Sequence, residues 1–245
     1  MAAPRFDIGC IPALTDNYIW LLRCSETGEA AVIDPSVDGP VLNAFRNVGW
    51  EVGQILNTHW HPDHVGGNAG IKEATGCTIT GPAAEADRIP GIDVQVREGD
   101  RVRVGKLEAV VWEVPGHTLG HIAYYFEDNG MLFIGDTLFA MGCGRLFEGT
   151  AEQMYGNMVR LRALPEDVVV YPAHEYTLAN ARFCVAQRPG DQLLKQRLAV
   201  VEEARARDMN TLPVTIGEER VTNPFLMAHD AAEFARLRAV KDSFS

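Results

Sequence analysis

Strand-like runs in this chain repeatedly end in an imidazole or a carboxylate, and that regularity restricts the fold more than any other feature. "QILNT" stops at His59, "VVWEVPG" at His117, "MLFIG" at Asp136 and "VVVYPA" at His174. Short β-branched apolar runs bounded by Gly, Pro or Asp are the pattern of buried strands. Strand ends in an α/β protein gather at one edge of a sheet, where loops build sites. The expectation is therefore a fold in which these four side chains meet. "YIWLL", "AAVID" and "IAYYF" are further runs of the same kind, whereas "DGPVLNAFRNVG" and "TAEQMYGNMVRLRAL" carry helical spacing. Up to about Tyr171 the chain reads as α/β.

After His174 the pattern changes. "DQLLKQRLAVVEEARARD" places Leu194, Leu198 and Val201 at i, i+4 and i+7, and "HDAAEFARLRAVKDSF" opens on an Asp230/Glu233 capping pattern. The tail is expected to be helical, which divides the chain into 1–175 and 176–245.

The stretch "NTHWHPDHVGG" sets three histidines and an aspartate within positions 59–64 of a chain with only seven histidines. In extended backbone His59 and His61 point to one side. Pro62 suits a first helical turn, leaving Asp63 and His64 at a helix N-terminus, and Gly66 and Gly67 permit close backbone approach. Such a turn presents ligands for a divalent ion. With His117, Asp136 and His174 the candidates are too many for one catalytic zinc, which takes three protein ligands and a water. They suit two ions about 3.5 to 4 Å apart with one bridging carboxylate. Nitrogen and oxygen donors without cysteine fit zinc, with iron and manganese as alternatives. His121 follows His117 at i+4, a zinc spacing on helices. Gly120 and the strand-like "IAYYF" argue against a helix there, so His121 is read as supporting or structural. Asp34 is expected to support the loops, and His229 to be solvated.

"THWHPDH", "GHTLGH", "GDTLF" and "PAHEYT" together resemble the metallo-β-lactamase superfamily, and "LTDNYIWLL", "GCGRLFEGTAEQM", "HEYTLANARF", "NPFL" and "LRAVKDSF" resemble its glyoxalase II branch, the hydroxyacylglutathione hydrolases. The resemblance implies an αββα sandwich followed by an all-α substrate-binding domain. It implies His59, His61 and His117 on one ion, Asp63, His64 and His174 on the other, and Asp136 bridging. It also implies that Arg145, Phe147, Tyr176, Arg238 and Lys241 meet the glutathione part. Arg145 stands where the family often has Lys, and Phe147 where a tyrosine often contacts the tripeptide. Arg238 and Lys241, at i and i+3, can jointly hold a carboxylate.

The implied reaction is hydrolysis of S-lactoylglutathione and related S-(2-hydroxyacyl)glutathiones, the closing step of methylglyoxal detoxification. Two cations would lower the pKa of a shared water from about 15.7 towards neutrality, with Asp63 or Asp136 orienting it. Competing readings are another hydrolase of the superfamily, a persulfide dioxygenase, and an RNA-processing relative. A formal net charge of −11 disfavours nucleic acid, which requires a basic face. Five scattered cysteines outside any C-x-x-C pair read as reduced thiols. No run is long enough to span a membrane and the N-terminus lacks a signal pattern. A cytoplasmic monomer is the expectation.

Overall fold

The protein is described from a computed structural model, which covers residue 3 and residues 5–244. Two compact units are present: the chain up to Val114 together with Gly120–Gly135, and Pro115–Leu119 together with the chain from Asp136 onward.

The first unit holds two sheets. One runs β1 (Phe6–Ala13), β2 (Asn17–Cys24), β3 (Ala30–Ile33), β4 (Val52–Leu56), β5 (Thr78–Pro82), β6 (Val94–Val96) in spatial as in sequence order. β1–β2–β3 are antiparallel, and β3–β4–β5–β6 are parallel. The parallel strands are joined by α1 (Gly39–Val48), α2 (Pro62–Val65) with α3 (Asn68–Thr75), and a 3₁₀ turn, Ala83–Arg88. The second sheet contains β7 (Arg101–Val104), β8 (Leu107–Glu113), β9 (Ile122–Phe126) and β10 (Met131–Gly135), each antiparallel to the next. The "YIWLL", "IAYYF" and "MLFIG" runs fall within β2, β9 and β10, and "AAVID" forms β3 except for its last residue, Asp34.

α1 shows how the local sequence acts. Asp38 accepts the Gly39 N–H at 2.7 Å, Pro40 occupies the first turn, and Gly49 at φ 70° ends the helix in the left-handed conformation. Val41 and Phe45, one turn apart, are buried against Ile19, Leu21, Val32 and Ile55 of the sheet. Each such side chain contributes about 1.5–3 kcal/mol. The opposite face of this sheet is covered by the second one. The Tyr124 hydroxyl donates to the Asn57 carbonyl at 2.9 Å, and a Cβ placed on Gly105 would lie 2.8 Å from that of Cys24. Burial on both faces explains why these strands read as continuous apolar runs rather than alternating ones.

The second unit begins with a short hairpin, β11 (Leu138–Phe139) and β12 (Gly142–Cys143), followed by α4 (Ala151–Arg162), β13 (Val169–Pro172), α5 (Thr177–Gln187), α6 (Gln192–Ala206), β14 (Val214–Thr215), α7 (Ile216–Thr222), α8 (Pro224–Met227) and α9 (Ala231–Asp242). Thr150 and Gln153 form a reciprocal capping box at α4, and Asp230 caps α9 through the Glu233 N–H. Glu233 reaches one residue further back than expected, accepting from the His229 N–H. Phe225 packs between Phe183 and Phe234. The tail is helical as expected apart from β14, which pairs with β13; two residues are too few to leave a periodic signal.

A buried ion pair ties the tail to the hairpin. The Glu219 carboxylate accepts from Arg197, from the Met141 N–H at 2.7 Å and from Asn223 at 2.8 Å. Burial pushes its carboxyl up and the Arg197 guanidinium opposes that. Met141 is held at φ 57°, a conformation costly for a side chain without such fixing. None of the five cysteines, all of them among the described residues, is in a disulfide. Among the described residues no helix is long and apolar enough to cross a membrane.

Candidate metal centre

Each unit carries one group of ligand-type side chains. In the first, parallel pairing brings β3 and β4 to a common end, with Ile33 opposite Leu56. Asp34 and the Asn57–His59 segment therefore leave the sheet side by side. The Asp34 carboxylate accepts the Thr58 N–H at 2.7 Å and the Thr58 hydroxyl at 2.6 Å, and lies 3.1 Å from Nδ1 of His64. Since the Thr58 hydroxyl spends its proton on Asp34, it accepts from His59 Nδ1 at 3.0 Å. One buried carboxylate thus sets both imidazoles as Nδ1–H tautomers, directly for His64 and through Thr58 for His59, and leaves each Nε2 a lone pair.

One donor atom each from Asp34, His59 and His64 lies within 4.8 Å of the others. The Asp34 oxygens also take part in the three hydrogen bonds to Thr58 and His64 given above, which tie the carboxylate to the loop that carries the histidines. His59 Nε2 approaches His61 Nδ1 at 3.0 Å, and His64 Nε2 approaches Asp63 Oδ2 at 3.5 Å. Imidazole nitrogens and carboxylate oxygens converging in this way form a donor set suited to a divalent cation.

α2 forms as expected, with Pro62 in its first turn and Asp63 behind it. The two glycines matter for proximity, not for unusual dihedrals. A Cβ on Gly66 would lie 2.5 Å from the Ser36 carbonyl oxygen, and one on Gly67 2.7 Å from the Val37 carbonyl carbon. Gly67→Ala is expected to push this turn off the Pro35–Val37 segment and to cost about 1–3 kcal/mol. Urea unfolding of the variant beside the parent chain measures it.

Sequence reasoning missed Asn17. Its side-chain amide donates to both the backbone oxygen and Oδ2 of Asp63, each at 3.1 Å, fixing that carboxylate. The signal was present in "LTDNYIWLL", where a buried Asn opens an apolar strand. His121 directly follows the bend at residues 116–120, outside any helix, and its ring stacks on His59 with centroids 4.5 Å apart.

In the second unit Asp136 Oδ2 lies 3.3 Å from His117 Nε2 and its Oδ1 3.3 Å from His174 Nε2. His117 Nδ1 donates to the Arg145 carbonyl at 2.9 Å, which fixes its tautomer and presents Nε2 to Asp136. The loop carrying Arg145 is stitched to the His117 turn by three further bonds. Phe147 N donates to His117 O, Leu119 N to Glu148 Oε2, and Gly149 N to Gly116 O. His174 lies flat against Tyr176, centroids 4.8 Å and planes 1° apart.

The expected substrate-binding side chains take different environments. Phe147 is 62% exposed, with its ring edge on His117 at 5.2 Å. Tyr176 is half-exposed before α5. Arg145 is exposed, its Nε 3.6 Å from Asp242. Arg238 departs from the expectation of a cation shared outward with Lys241. It is 5% exposed and donates to the Cys143 carbonyl at 2.7 Å and to Asp242 at 2.8 and 3.1 Å. The physical reason is that a buried guanidinium needs acceptors on all sides, and here the protein supplies them. Lys241 reaches the Ala179 carbonyl at 3.4 Å above Phe183 and Phe244, and burial, with Arg238 adding repulsion, holds its ammonium below the ordinary lysine value. His229 is exposed, as expected.

This fold and this donor set define a metallohydrolase-type scaffold of the metallo-β-lactamase superfamily, whose family pattern matches residues 14–174. Residues 175–244 match the hydroxyacylglutathione hydrolase C-terminus, and the chain belongs to that family. It is 52% identical over 227 residues to the hydroxyacylglutathione hydrolase of Methylococcus capsulatus, covering 93% of this chain and 89% of that one. To the Rhodospirillum rubrum protein of the same name it is 53% identical over 228 residues, with the same coverage of each. Among solved structures, ETHE1 from Myxococcus xanthus superposes with a TM-score of 0.74 at 28% identity, covering 95% of this chain and 90% of that one. The BLEG-1 B3 metallo-β-lactamase superposes at 0.68 with 21% identity, covering 91% and 100%, a likeness of fold.

Proposed function

We propose that this chain hydrolyses S-(2-hydroxyacyl)glutathione thioesters, S-lactoylglutathione first among them, to the hydroxy acid and glutathione, completing methylglyoxal detoxification in the cytoplasm. The observation that carries this reading is the Asp136 carboxylate, whose two oxygens each face the Nε2 of a different histidine at 3.3 Å, in a chain of the hydroxyacylglutathione hydrolase family. His59, His61 and His117 would hold one divalent cation, Asp63, His64 and His174 would hold the second, and Asp136 would serve both. We assign zinc to both positions, with iron or manganese as competitors for the same donors. When bound, the pair supplies a water of lowered pKa and polarises the thioester carbonyl.

The protein's own groups do the rest. Asp34 and Thr58 keep His59 and His64 in the tautomer that leaves Nε2 available, and the Arg145 carbonyl does so for His117. Asp63, steadied by Asn17, and Asp136 orient the attacking water. No strong proton donor is needed, because the leaving thiol titrates at about 8.5. Residues 176–245 form the substrate-binding domain, where Tyr176 offers exposed aromatic surface and Lys241 offers charge to a glutathione carboxylate; Phe147 and Arg145 add to both from the preceding loop. Arg238 anchors that cluster from beneath. The active form is a monomer.

The direct test is steady-state turnover of S-lactoylglutathione by zinc-loaded protein. Absence of chelator-sensitive hydrolysis rejects the reading, and oxygen consumption with a glutathione persulfide would replace it with dioxygenase chemistry. A pH prediction follows from Lys241. Because its ammonium is held below the ordinary value of 10.5, it loses charge earlier than a solvated lysine as pH rises. KM for the anionic substrate is expected to climb in the alkaline limb, beginning below 10.5. Lys241→Arg, which stays charged, removes that rise; an unchanged profile of KM against pH would show that Lys241 does not meet the substrate.

A further inference from the structure

The turn Ala83–Arg88 follows β5 and contains no residue of the ligand set, yet it grips the segment that carries His59 and His61. Glu85 is 3% exposed, and each of its carboxylate oxygens accepts one backbone N–H at 2.9 Å: Oε2 from Trp60 and Oε1 from Gly120. Trp60 stands between His59 and His61 in sequence, and its ring meets that of His61 edge-on at 4.6 Å. Gly120 precedes His121, whose ring stacks on His59. Arg88, from the same turn, lays its guanidinium over the Trp60 indole at 3.3 Å from the centroid. A Cβ on Gly120 would fall 2.6 Å from Glu85 Cγ and 2.8 Å from Ala84 Cβ, so a glycine is required where the carboxylate reaches this backbone.

We propose that Glu85 is a positioning residue for the cation held by His59 and His61. Its carboxylate joins the backbone between those two histidines to the backbone beside the ring that stacks on His59. It thereby sets their separation and orientation before any ion arrives, and places a negative charge behind them. This rests on the metal assignment of the proposed function but not on the identity of the substrate. A carboxylate is required because both partners are donors. A carboxamide of the same shape sets N–H against N–H at Trp60 or at Gly120, whichever way it is turned.

The test is zinc binding to apo-protein, titrated against a chromophoric chelator, for the parent chain, Glu85→Gln and Glu85→Asp. Loss of an outer partner of a metal ligand raises the dissociation constant by about 10–100-fold. That rise is expected in Glu85→Gln for one of two zinc ions, with the other unchanged. Glu85→Asp, which keeps charge and both acceptor atoms but is one methylene short, loses less, and it carries the measurement if Glu85→Gln does not fold by near-ultraviolet circular dichroism. A merely structural residue would lower the unfolding free energy without separating the two zinc constants. Parent-like constants for both ions in the folded variants overturn the role of Glu85 and leave the hydrolase reading standing; a parent chain that binds no zinc overturns both.

Discussion

Asp136→Ala is expected to lower kcat/KM for S-lactoylglutathione by about a thousandfold or more, equivalent to about 4 kcal/mol of transition-state stabilisation. It is also expected to reduce metal content at both positions rather than one. The reason is geometric. The carboxylate side chain is 8% exposed and divides its two oxygens between His117 and His174, which belong to different ions in the proposed assignment. On that assignment its removal would take a ligand from both ions and leave the Nε2 atoms of His117 and His174 without the carboxylate they face. Asp63→Ala, by contrast, is expected to weaken one ion and spare the other. Metal analysis of both variants after dialysis separates the cases, and full retention of one ion in Asp136→Ala would show that the carboxylate is not shared.

Asp34→Ala is the second large effect, and it falls on folding as well as on chemistry. The alanine leaves the Thr58 N–H, the Thr58 hydroxyl and His64 Nδ1 without their acceptor in a fully buried place. At about 1–3 kcal/mol for each stranded donor, partly relieved by water entering the space, a loss of about 3–5 kcal/mol is expected. The Nδ1–H tautomers of His59 and His64 also lose their enforcement, so zinc affinity is expected to drop about 10–100-fold. Asp34→Asn retains one acceptor and should fall between the two. Urea denaturation of apo-protein measures the first effect and chelator competition the second. A variant that unfolds at the parent midpoint would mean that Asp34 does not hold these groups.

Several features of fold and site were legible early because they depend on residue type and short spacing. Runs such as "AAVID" and "MLFIG" became β3 and β10, Pro62 began α2, and Gly66 and Gly67 marked a contact that no side chain could occupy. The bend at Gly120 correctly argued against a helix through His117 and His121. Arg238 shows the limit. Helical spacing paired it with Lys241 on one face, but its acceptors include the carbonyl of Cys143, 95 residues away in the chain, and no local pattern carries that information. Glu85 and Asn17 were passed over for the same reason. Each is an ordinary polar residue until β5 and β2 bring it to a backbone segment distant in sequence.

What the sequence by itself determined was the chemistry on offer: imidazoles and carboxylates at strand ends, a glycine-rich turn, and a tail of capped helices. These follow from residue type and from periods of two and 3.6. Which nitrogen of each histidine is presented, and which cations are spent internally, was decided by tertiary structure alone. Tautomer and charge state answer to whatever hydrogen-bonding groups are packed alongside, and for His64 that group is Asp34, 30 residues earlier, delivered by the parallel pairing of two strands.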